Sequence, residues 1–295
     1  MAKTPVLRFR RDLLRFPRRR RDRVLLRMLR RAFGPASSLA PYASAYWAEM
    51  LFRTPPRFAP LPRERQALER GRFVAMPFLR GRLATWTFGE GPPVLLVHGW
   101  GGHAGRLTRF VDPLLAAGFS VIAFDAPGHG RSSGYRSSLP DFVTAIDFLA
   151  RECGPLAGVA GHSMGAAATA LAMRRGLALP RAVFLAPPAD PEEYARRFSH
   201  YFGIPPEICD RMKRRLQGRY ATTWNDLRVD IPVPDSASEI LVVHDRGDAR
   251  VPWRDGSAVA AAWPHATLLT TRGLGHHKIL RDAAVMSAAA NFLRG

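Results

Sequence analysis

The sequence predicts an α/β fold with a doubly wound, mostly parallel sheet, and three patterns support this prediction. From about residue 72 onward, short apolar runs without polar alternation suit strands that are buried on both faces. Helical segments near 104–117, 139–152, 164–175 and 279–294 alternate with these runs, which favours parallel strands joined by helices. Residues 72–88 alternate in polarity instead and predict an antiparallel pair at the sheet edge. The apolar runs are VLLV at 94–97, VIAF at 121–124, AGVA at 157–160, AVFL at 182–185 and ILVV at 240–243.

The chain divides into a basic N-terminal extension, residues 1–70, and one large domain, residues 71–295. With 295 residues, 47% of them hydrophobic, it can bury a sizeable core. The strand–helix rhythm is interrupted at about 191–238, where residues 194–220 are helical in character with a break at Pro205-Pro206. Because an insertion near the carboxyl ends of two strands is where a cap would lie, we expect a short helical cap there.

The charge of the chain is strongly positive and concentrated at its start. The sequence has 44 basic and 24 acidic residues, a formal charge of +20, and residues 1–31 carry twelve Arg and Lys3 against Asp12 and Asp22. The preference for Arg over Lys is also typical of a GC-rich genome, an explanation that requires no binding partner. A basic tail would attract phosphates or anionic lipid, because neutralising charge releases counterions. No specific nucleic-acid partner is expected, since the arginines are not interleaved with stacking aromatics.

One segment of the extension has the pattern of an amphipathic basic helix that ends at Gly34-Pro35. Two interpretations are open. The helix contacts an anionic membrane through residues 1–34, or its apolar side packs on its own domain. The apolar positions are Val24, Leu25, Met28, Leu29, Ala32 and Phe33, and the basic ones are Arg23, Arg27, Arg30 and Arg31.

The cysteines and the apolar segments indicate where the protein acts. Cys153 and Cys209 have neither disulfide-framework nor metal-ligand spacing and fit a reducing compartment. No apolar run approaches the length of a membrane span, and no signal-peptide core follows the basic start. The predicted location is cytoplasmic, with peripheral membrane contact as the alternative.

Ser163 is the candidate nucleophile. It lies in Gly161-His162-Ser163-Met164-Gly165, between the AGVA run and an Ala-rich helical segment. A turn tight enough to expose a serine hydroxyl strains the backbone, and small residues two positions before and after it relieve the crowding. The amides at the start of the helix then point at a developing oxyanion.

A nucleophilic serine needs a base and an orienting carboxylate. His276 follows the strand-like 266–271 in Gly273-Leu-Gly-His-His, and His277 is the alternative base. Asp248, on the loop after ILVV, is the favoured acid. Asp245 stands nearer the strand and suits a turn-capping role, and Asp190 after AVFL is a further candidate.

The glycine-rich segment HGWGG after VLLV supplies a candidate oxyanion hole. Glycines there let the backbone approach the nucleophile, so the amide of Trp100 would join that of Met164. A phosphate-binding loop is the competing interpretation, but neither common glycine fingerprint for phosphate binding is present.

Taken in order, HGWGG, FDAPGHGRSSG, GHSMG, HDRGDARVP and GLGHH resemble the α/β-hydrolase superfamily over about residues 72–295. The resemblance implies an eight-stranded sheet, a cap, no cofactor or metal, and hydrolysis through an acyl-enzyme. It implies a triad of Ser163, Asp248 and His276, oxyanion donors at Trp100 and Met164, and a buried, structural role for Asp125.

The expected activity is hydrolysis of carboxylic esters or related acyl compounds, with a small acyl or ester molecule as substrate. An acyltransferase, an amidase or aminopeptidase, and a cofactor-free perhydrolase would use the same triad. A non-catalytic binding module is the alternative outside enzyme chemistry.

Overall fold

The computed structural model describes residues 20–233 and 236–295, so the most N-terminal part of the basic tail lies outside the described residues. Its centre is an eight-stranded sheet in the order β1-β2-β4-β3-β5-β6-β7-β8. The strands are β1 Arg72–Phe78, β2 Gly81–Phe88, β3 Pro93–Val97, β4 Ser120–Phe124, β5 Gly158–His162, β6 Arg181–Leu185, β7 Glu239–Asp245 and β8 Ala266–Thr271. The helices are α1 Arg20–Leu39, α2 Pro41–Phe52, α3 Pro62–Glu69, α4 Val111–Ala116, α5 Leu139–Glu152, α6 Met164–Arg174, α7 Pro191–Phe202, α8 Pro206–Tyr220, α9 Trp253–Ala262, α10 Gly275–Lys278 and α11 Ala283–Arg294.

The sheet has the predicted class and winding. Strand β1 forms an antiparallel edge pair with β2, which pairs antiparallel with β4, and β3 to β8 pair in parallel. The parallel strands carry consecutive apolar residues because helices cover both faces of the sheet. One apolar core lies under α5, α6 and α9, and the other lies under α4 and α11.

Several helix boundaries differ from the sequence prediction. Residues 104–117 form two short 3-10 turns before α4, and α11 starts at Ala283 after another 3-10 turn. Helices α2, α3 and α9 are further elements that the sequence patterns do not predict. In the described part of the chain, no helix is long and apolar enough to cross a bilayer.

The predicted end of the basic helix at Gly34-Pro35 is wrong, because α1 continues to Leu39 with Pro35 inside it. Proline removes one backbone hydrogen bond and bends a helix. The carbonyl left without that bond belongs to Arg31, an exposed residue that water can reach. Phe33 is buried and the Ser37 hydroxyl donates to its carbonyl, so packing and a side-chain bond support the helix across the proline.

Helices α1 and α2 share a small apolar core with α7 and α8, the two helices inserted between β6 and β7. Glu49 of α2 is buried beside this core, and its two oxygens accept from Arg215 Nε at 2.8 Å and Arg219 Nε at 2.7 Å on α8. Arg53, one turn further along the chain, lies 3.6 Å away. One buried carboxylate therefore joins the N-terminal segment to the inserted helices.

We expect Glu49→Gln to lower the free energy of unfolding by about 1–3 kcal/mol, because charge-assisted bonds are lost at a buried site. Chemical denaturation of the full chain measures the change. The matched control is Asp112→Asn, which breaks an arginine–carboxylate pair with Arg70 whose side chains are both exposed. The control should leave stability nearly unchanged. Equal effects of the two substitutions would contradict the structural role of Glu49.

Two buried imidazoles support the loop that follows β3. His98 donates from Nδ1 to the Gly99 carbonyl at 2.8 Å and accepts from the Ala126 amide at Nε2, at 3.0 Å. The ring of His129 lies between those of His98 and Trp100, with centroids 5.1 and 5.3 Å away. Burial lowers the pKa of His98 to about 3 and that of His129 to about 3, so both rings are neutral in the folded protein.

The stability of the protein should therefore fall in acid. Between pH about 6.5, the ordinary histidine pKa, and about 3, the unfolded chain binds protons that these two folded-state rings do not. Stability is lost as the pH falls through this window. We expect His129→Phe to reduce the slope of unfolding free energy against pH by up to about 1.4 kcal/mol per unit. Urea unfolding at several pH values between about 3 and 6.5 measures this slope. The control is His265→Phe, at an exposed site, which should leave the slope unchanged. An unchanged slope in His129→Phe would overturn this explanation.

Candidate active site

Ser163 occupies a strained turn between β5 and α6. Its backbone has φ 54° and ψ −118°, a region that non-glycine residues rarely adopt. The two glycines beside it are required by close contacts, because a Cβ on Gly165 would lie 2.2 Å from the Val97 carbonyl oxygen and one on Gly161 would lie 2.7 Å from Ala166. The Ser163 amide donates to the Leu185 carbonyl at 2.8 Å. The turn is thus held against β3 and β6, with the serine at the carboxyl edge of the sheet.

His276 lies in the short helix α10, directly after β8. Its Nδ1 is 2.7 Å from Asp248 Oδ2, and both side chains are largely buried. The neighbouring His277 is more exposed, and its ring centroid is 5.1 Å from that of His276. The hydrogen bond to the carboxylate therefore belongs to His276.

Asp248 lies on the β7–α9 loop and remains an acceptor. Its Oδ1 accepts from the amides of Arg250 at 2.8 Å and Val251 at 2.9 Å, while Oδ2 faces His276. Burial alone would raise the pKa of Asp248. The His244 ring, whose Nε2 lies 3.6 Å from Oδ2, the hydrogen bond from His276 and the bond from the Val251 amide outweigh burial and hold the pKa of Asp248 well below the ordinary range. An ionised carboxylate thus fixes the orientation of the imidazole.

The two other candidate carboxylates have different partners. Asp245 accepts from the Gly247 and Leu274 amides at 2.8 and 2.9 Å and from the Thr271 hydroxyl at 2.8 Å, so it ties the end of β7 to the segment that leads to His276. Burial would raise the pKa of Asp245, but these hydrogen bonds lower it overall. Asp190 instead caps α7 through the Glu192 amide, 2.9 Å away.

His162 supports the candidate base, a role that sequence reasoning missed. Its Nε2 donates to the His276 carbonyl at 3.0 Å, and the two ring centroids are 4.6 Å apart. Burial lowers the pKa of His162 well below its ordinary value, so the ring is neutral and Nε2 carries its proton. The sequence places His162 beside Ser163, but its partner is 114 positions away. No local pattern could have indicated this contact.

The loop after β3 lies directly against the turn that carries Ser163. A Cβ on Gly99 would lie 3.0 Å from Ser163 Cβ and 3.0 Å from the His162 carbonyl oxygen. Trp100 follows Gly99 in this loop, and Met164 follows Ser163 as the first residue of α6.

Asp125 is buried and accepts from the Ala104 and Arg131 amides, each at 2.7 Å. Burial raises its pKa despite these bonds. The side chain thus connects the two loops that follow β3 and β4.

These positions place a hydroxyl, an imidazole and an ionised carboxylate at one edge of the sheet. Within residues 20–233 and 236–295, no hydrogen bond joins the Ser163 hydroxyl directly to the His276 ring. Contacts of this kind are often long until substrate binds. The same part of the chain contains no group of three or more His, Cys, Asp or Glu side chains placed to hold a metal ion.

Two relatives of known sequence share short segments with this chain. The serine hydrolase-like protein of Homo sapiens is 34% identical over 97 residues, which cover 31% of this chain and 47% of that protein. The pimeloyl-[acyl-carrier protein] methyl ester esterase of Chromobacterium violaceum is 41% identical over 81 residues, which cover 27% of this chain and 30% of the esterase. This chain therefore matches less than half of the length of either relative.

A solved structure gives the same fold over a longer range. Alpha/beta hydrolase domain-containing protein 10 from mouse matches with a TM-score of 0.58 and 16% identity, over 75% of this chain and 96% of the mouse chain. The family described as serine aminopeptidase, S33 matches residues 92–274, which include Ser163 and Asp248 and end just before His276. Since that match spans more than half of the sequence, the chain belongs to the S33 family of α/β-hydrolase enzymes.

Proposed function

We propose that this hydrolase cleaves carboxylic esters through an acyl-enzyme, with Ser163 as nucleophile, His276 as general base and Asp248 as the orienting acid. The observation that carries the proposal is the 2.7 Å contact between His276 Nδ1 and Asp248 Oδ2 at the edge where the strained Ser163 turn stands. This contact leaves His276 Nε2 as the ring nitrogen able to exchange a proton with the serine.

In the proposed reaction, Ser163 Oγ bonds to the ester carbonyl carbon as His276 Nε2 takes the hydroxyl proton. The alkoxy oxygen leaves with that proton, and the acyl group stays on Ser163. Water then attacks the acyl carbon, gives its proton to His276, and Ser163 leaves with the proton returned. The amides of Trp100 and Met164 would donate to the carbonyl oxygen in both steps.

The surroundings favour an ester over a substrate with a free α-ammonium group. An aminopeptidase needs an available carboxylate to bind such an ammonium group. On the inserted helix α7, Glu192 is paired with Arg196 and Lys213, and Glu193 is paired with Arg197. Asp190 lies 3.7 Å from the same Arg196. The named activity of the Chromobacterium violaceum relative, methyl ester hydrolysis, also supports an ester substrate.

Peptide or amide hydrolysis is the second candidate, because the family description names aminopeptidases. Rates on a p-nitrophenyl ester series and on aminoacyl p-nitroanilides separate the two. Turnover of the anilides with none of the esters would replace the ester assignment. Acyl transfer is tested in the same assay by adding an alcohol and measuring the ester that forms.

We expect Ser163→Ala to reduce p-nitrophenyl butyrate turnover by roughly a million-fold and to abolish labelling by a fluorophosphonate probe. Alanine removes the only atom that forms the acyl bond. The circular dichroism spectrum should match that of the unsubstituted protein. Retained turnover in pure, folded Ser163→Ala would reject the nucleophile.

We expect Asp248→Asn to lower kcat by roughly ten-thousand-fold, because an amide does not hold the required imidazole tautomer or stabilise the imidazolium. The matched variant is Asp190→Asn, at the residue that caps α7. It should keep kcat within a few-fold of the original value. A steep loss in Asp190→Asn with a mild one in Asp248→Asn would reverse the assignment.

A further inference from the structure

Helix α2 presents a row of exposed aromatic side chains to the outside of the protein. Tyr42 is 76% exposed, Tyr46 41% and Trp47 65%. Tyr42 and Tyr46 are four residues apart and so are neighbours on the helix surface, and the Trp47 ring joins them through its contact with the Tyr46 ring. The opposite side, with Ala45, Ala48 and Glu49, is buried against the inserted helices. The exposed row is therefore not part of the apolar core.

Arginines from α8 lie over these rings. The guanidinium of Arg211 is 4.8 Å from the centre of the Tyr42 ring, and that of Arg215 is 5.5 Å from the centre of Tyr46. Tyr46 and Trp47 meet edge to face, with centroids 5.7 Å apart. These five residues form one continuous surface, which we call the aromatic–arginine face.

The charge at this face is positive. Helix α8 carries five basic and two acidic residues, and one of the acidic residues, Asp210, is paired with Lys213. On α2, the buried Glu49 is a single carboxylate shared by three arginines. A surplus of positive charge therefore remains around the exposed rings, and a complementary partner must be anionic.

We propose that the aromatic–arginine face binds the surface of an anionic lipid bilayer. Tyr and Trp rings suit the membrane–water interface because they combine an apolar body with a polar atom, and arginines attract acidic headgroups. On the adjoining helix α1, Met28 is 63% exposed and Leu39 87%. Aliphatic side chains can enter the acyl region of a bilayer but do not stack on nucleic-acid bases.

A second copy of this chain is a poor occupant of the face. In a two-fold dimer the same patch meets itself, so the arginines of one copy would face those of the other. Like charges brought together out of water destabilise such a contact. An anionic bilayer neutralises the same arginines.

Helix α8, which carries the two arginines of this face, follows a helix that contacts the candidate active-site region. The face includes α8, and the preceding helix α7 contacts the segment that follows Asp248. Arg197 Nη1 donates to the Arg250 carbonyl at 3.5 Å, and the Tyr194 hydroxyl donates to Asp255 at 3.0 Å. The proposed binding does not depend on which bond the enzyme cleaves.

The test measures sedimentation of the protein with sucrose-loaded vesicles. All variants are made in the full chain, so that the basic tail is present in each of them. Vesicles of phosphatidylcholine with roughly 30% phosphatidylglycerol are compared with pure phosphatidylcholine at low and high salt. We expect the unsubstituted protein to bind only the anionic vesicles, in a salt-sensitive manner. The double variant Tyr42→Ser with Trp47→Ser should bind at least about tenfold more weakly.

A second variant removes charge but keeps the rings. Arg214 is an exposed arginine three positions after Arg211 on α8, and Arg211→Gln with Arg214→Gln should also weaken binding roughly tenfold, because two cations near the surface are lost. The matched control is Phe73→Ser on the edge strand β1, where Arg131 lies 4.0 Å over the ring. It removes an arginine-stacked, exposed aromatic elsewhere on the protein and should leave binding within about twofold. Thermal unfolding of each variant checks that it is folded.

Three results would overturn the proposal. The first is equal vesicle binding by the unsubstituted protein and the folded Tyr42→Ser, Trp47→Ser variant. The second is a dimer in light scattering that this variant dissociates, which would assign the face to a second copy. The third is binding of a single-stranded oligonucleotide that depends on Tyr42 and Trp47 while vesicle binding does not. None of these results bears on ester hydrolysis, since no substrate is used.

Discussion

Parallel pairing of the strands from β3 to β8 is the constraint on which the arrangement of this protein depends. Strands that run in one direction deliver their carboxyl ends, and the loops that follow them, to one edge of the sheet. Ser163 follows β5, Asp248 follows β7 and His276 follows β8, so residues far apart in sequence arrive together. Helices cover both faces of the sheet, so the carboxyl edge remains accessible while the faces are buried.

Strand pairing brings the loops together, and buried hydrogen bonds then set their positions. Asp245 ties the end of β7 to the amide of Leu274, two residues before His276. His162 fixes the backbone of His276 from the side of β5, and Asp248 fixes its ring. Because Asp245, His162 and Asp248 each bond a specific partner around His276, the imidazole has little freedom to turn away. A preorganised base of this kind is what the proposed acyl transfer to Ser163 requires.

The N-terminal segment and the inserted helices form a second structural layer. Glu49 and the apolar core around Phe33 and Met212 hold α1 and α2 against α8, so the N-terminal segment is packed into the folded structure. The inward position of Phe33 agrees with packing on the protein's own domain, whereas exposed Met28 on the same helix leaves apolar surface outside. Packing on the domain is therefore observed for Phe33, whereas contact of residues 1–34 with an anionic membrane stays a prediction.

Much of this protein was determined by local sequence alone. Consecutive apolar residues indicated buried parallel strands, polar alternation indicated the edge pair, and Gly161 to Gly165 indicated the tight turn at Ser163. Each of these patterns depends only on the backbone of its own few residues. The tertiary structure decided the rest. It selected Asp248 rather than Asp190 as the partner of His276, gave His162 its contact with the His276 backbone, and carried α1 past Pro35 to Leu39. These outcomes depend on contacts between segments that are distant in sequence, whose strength is set by burial and by the partners available in the folded chain.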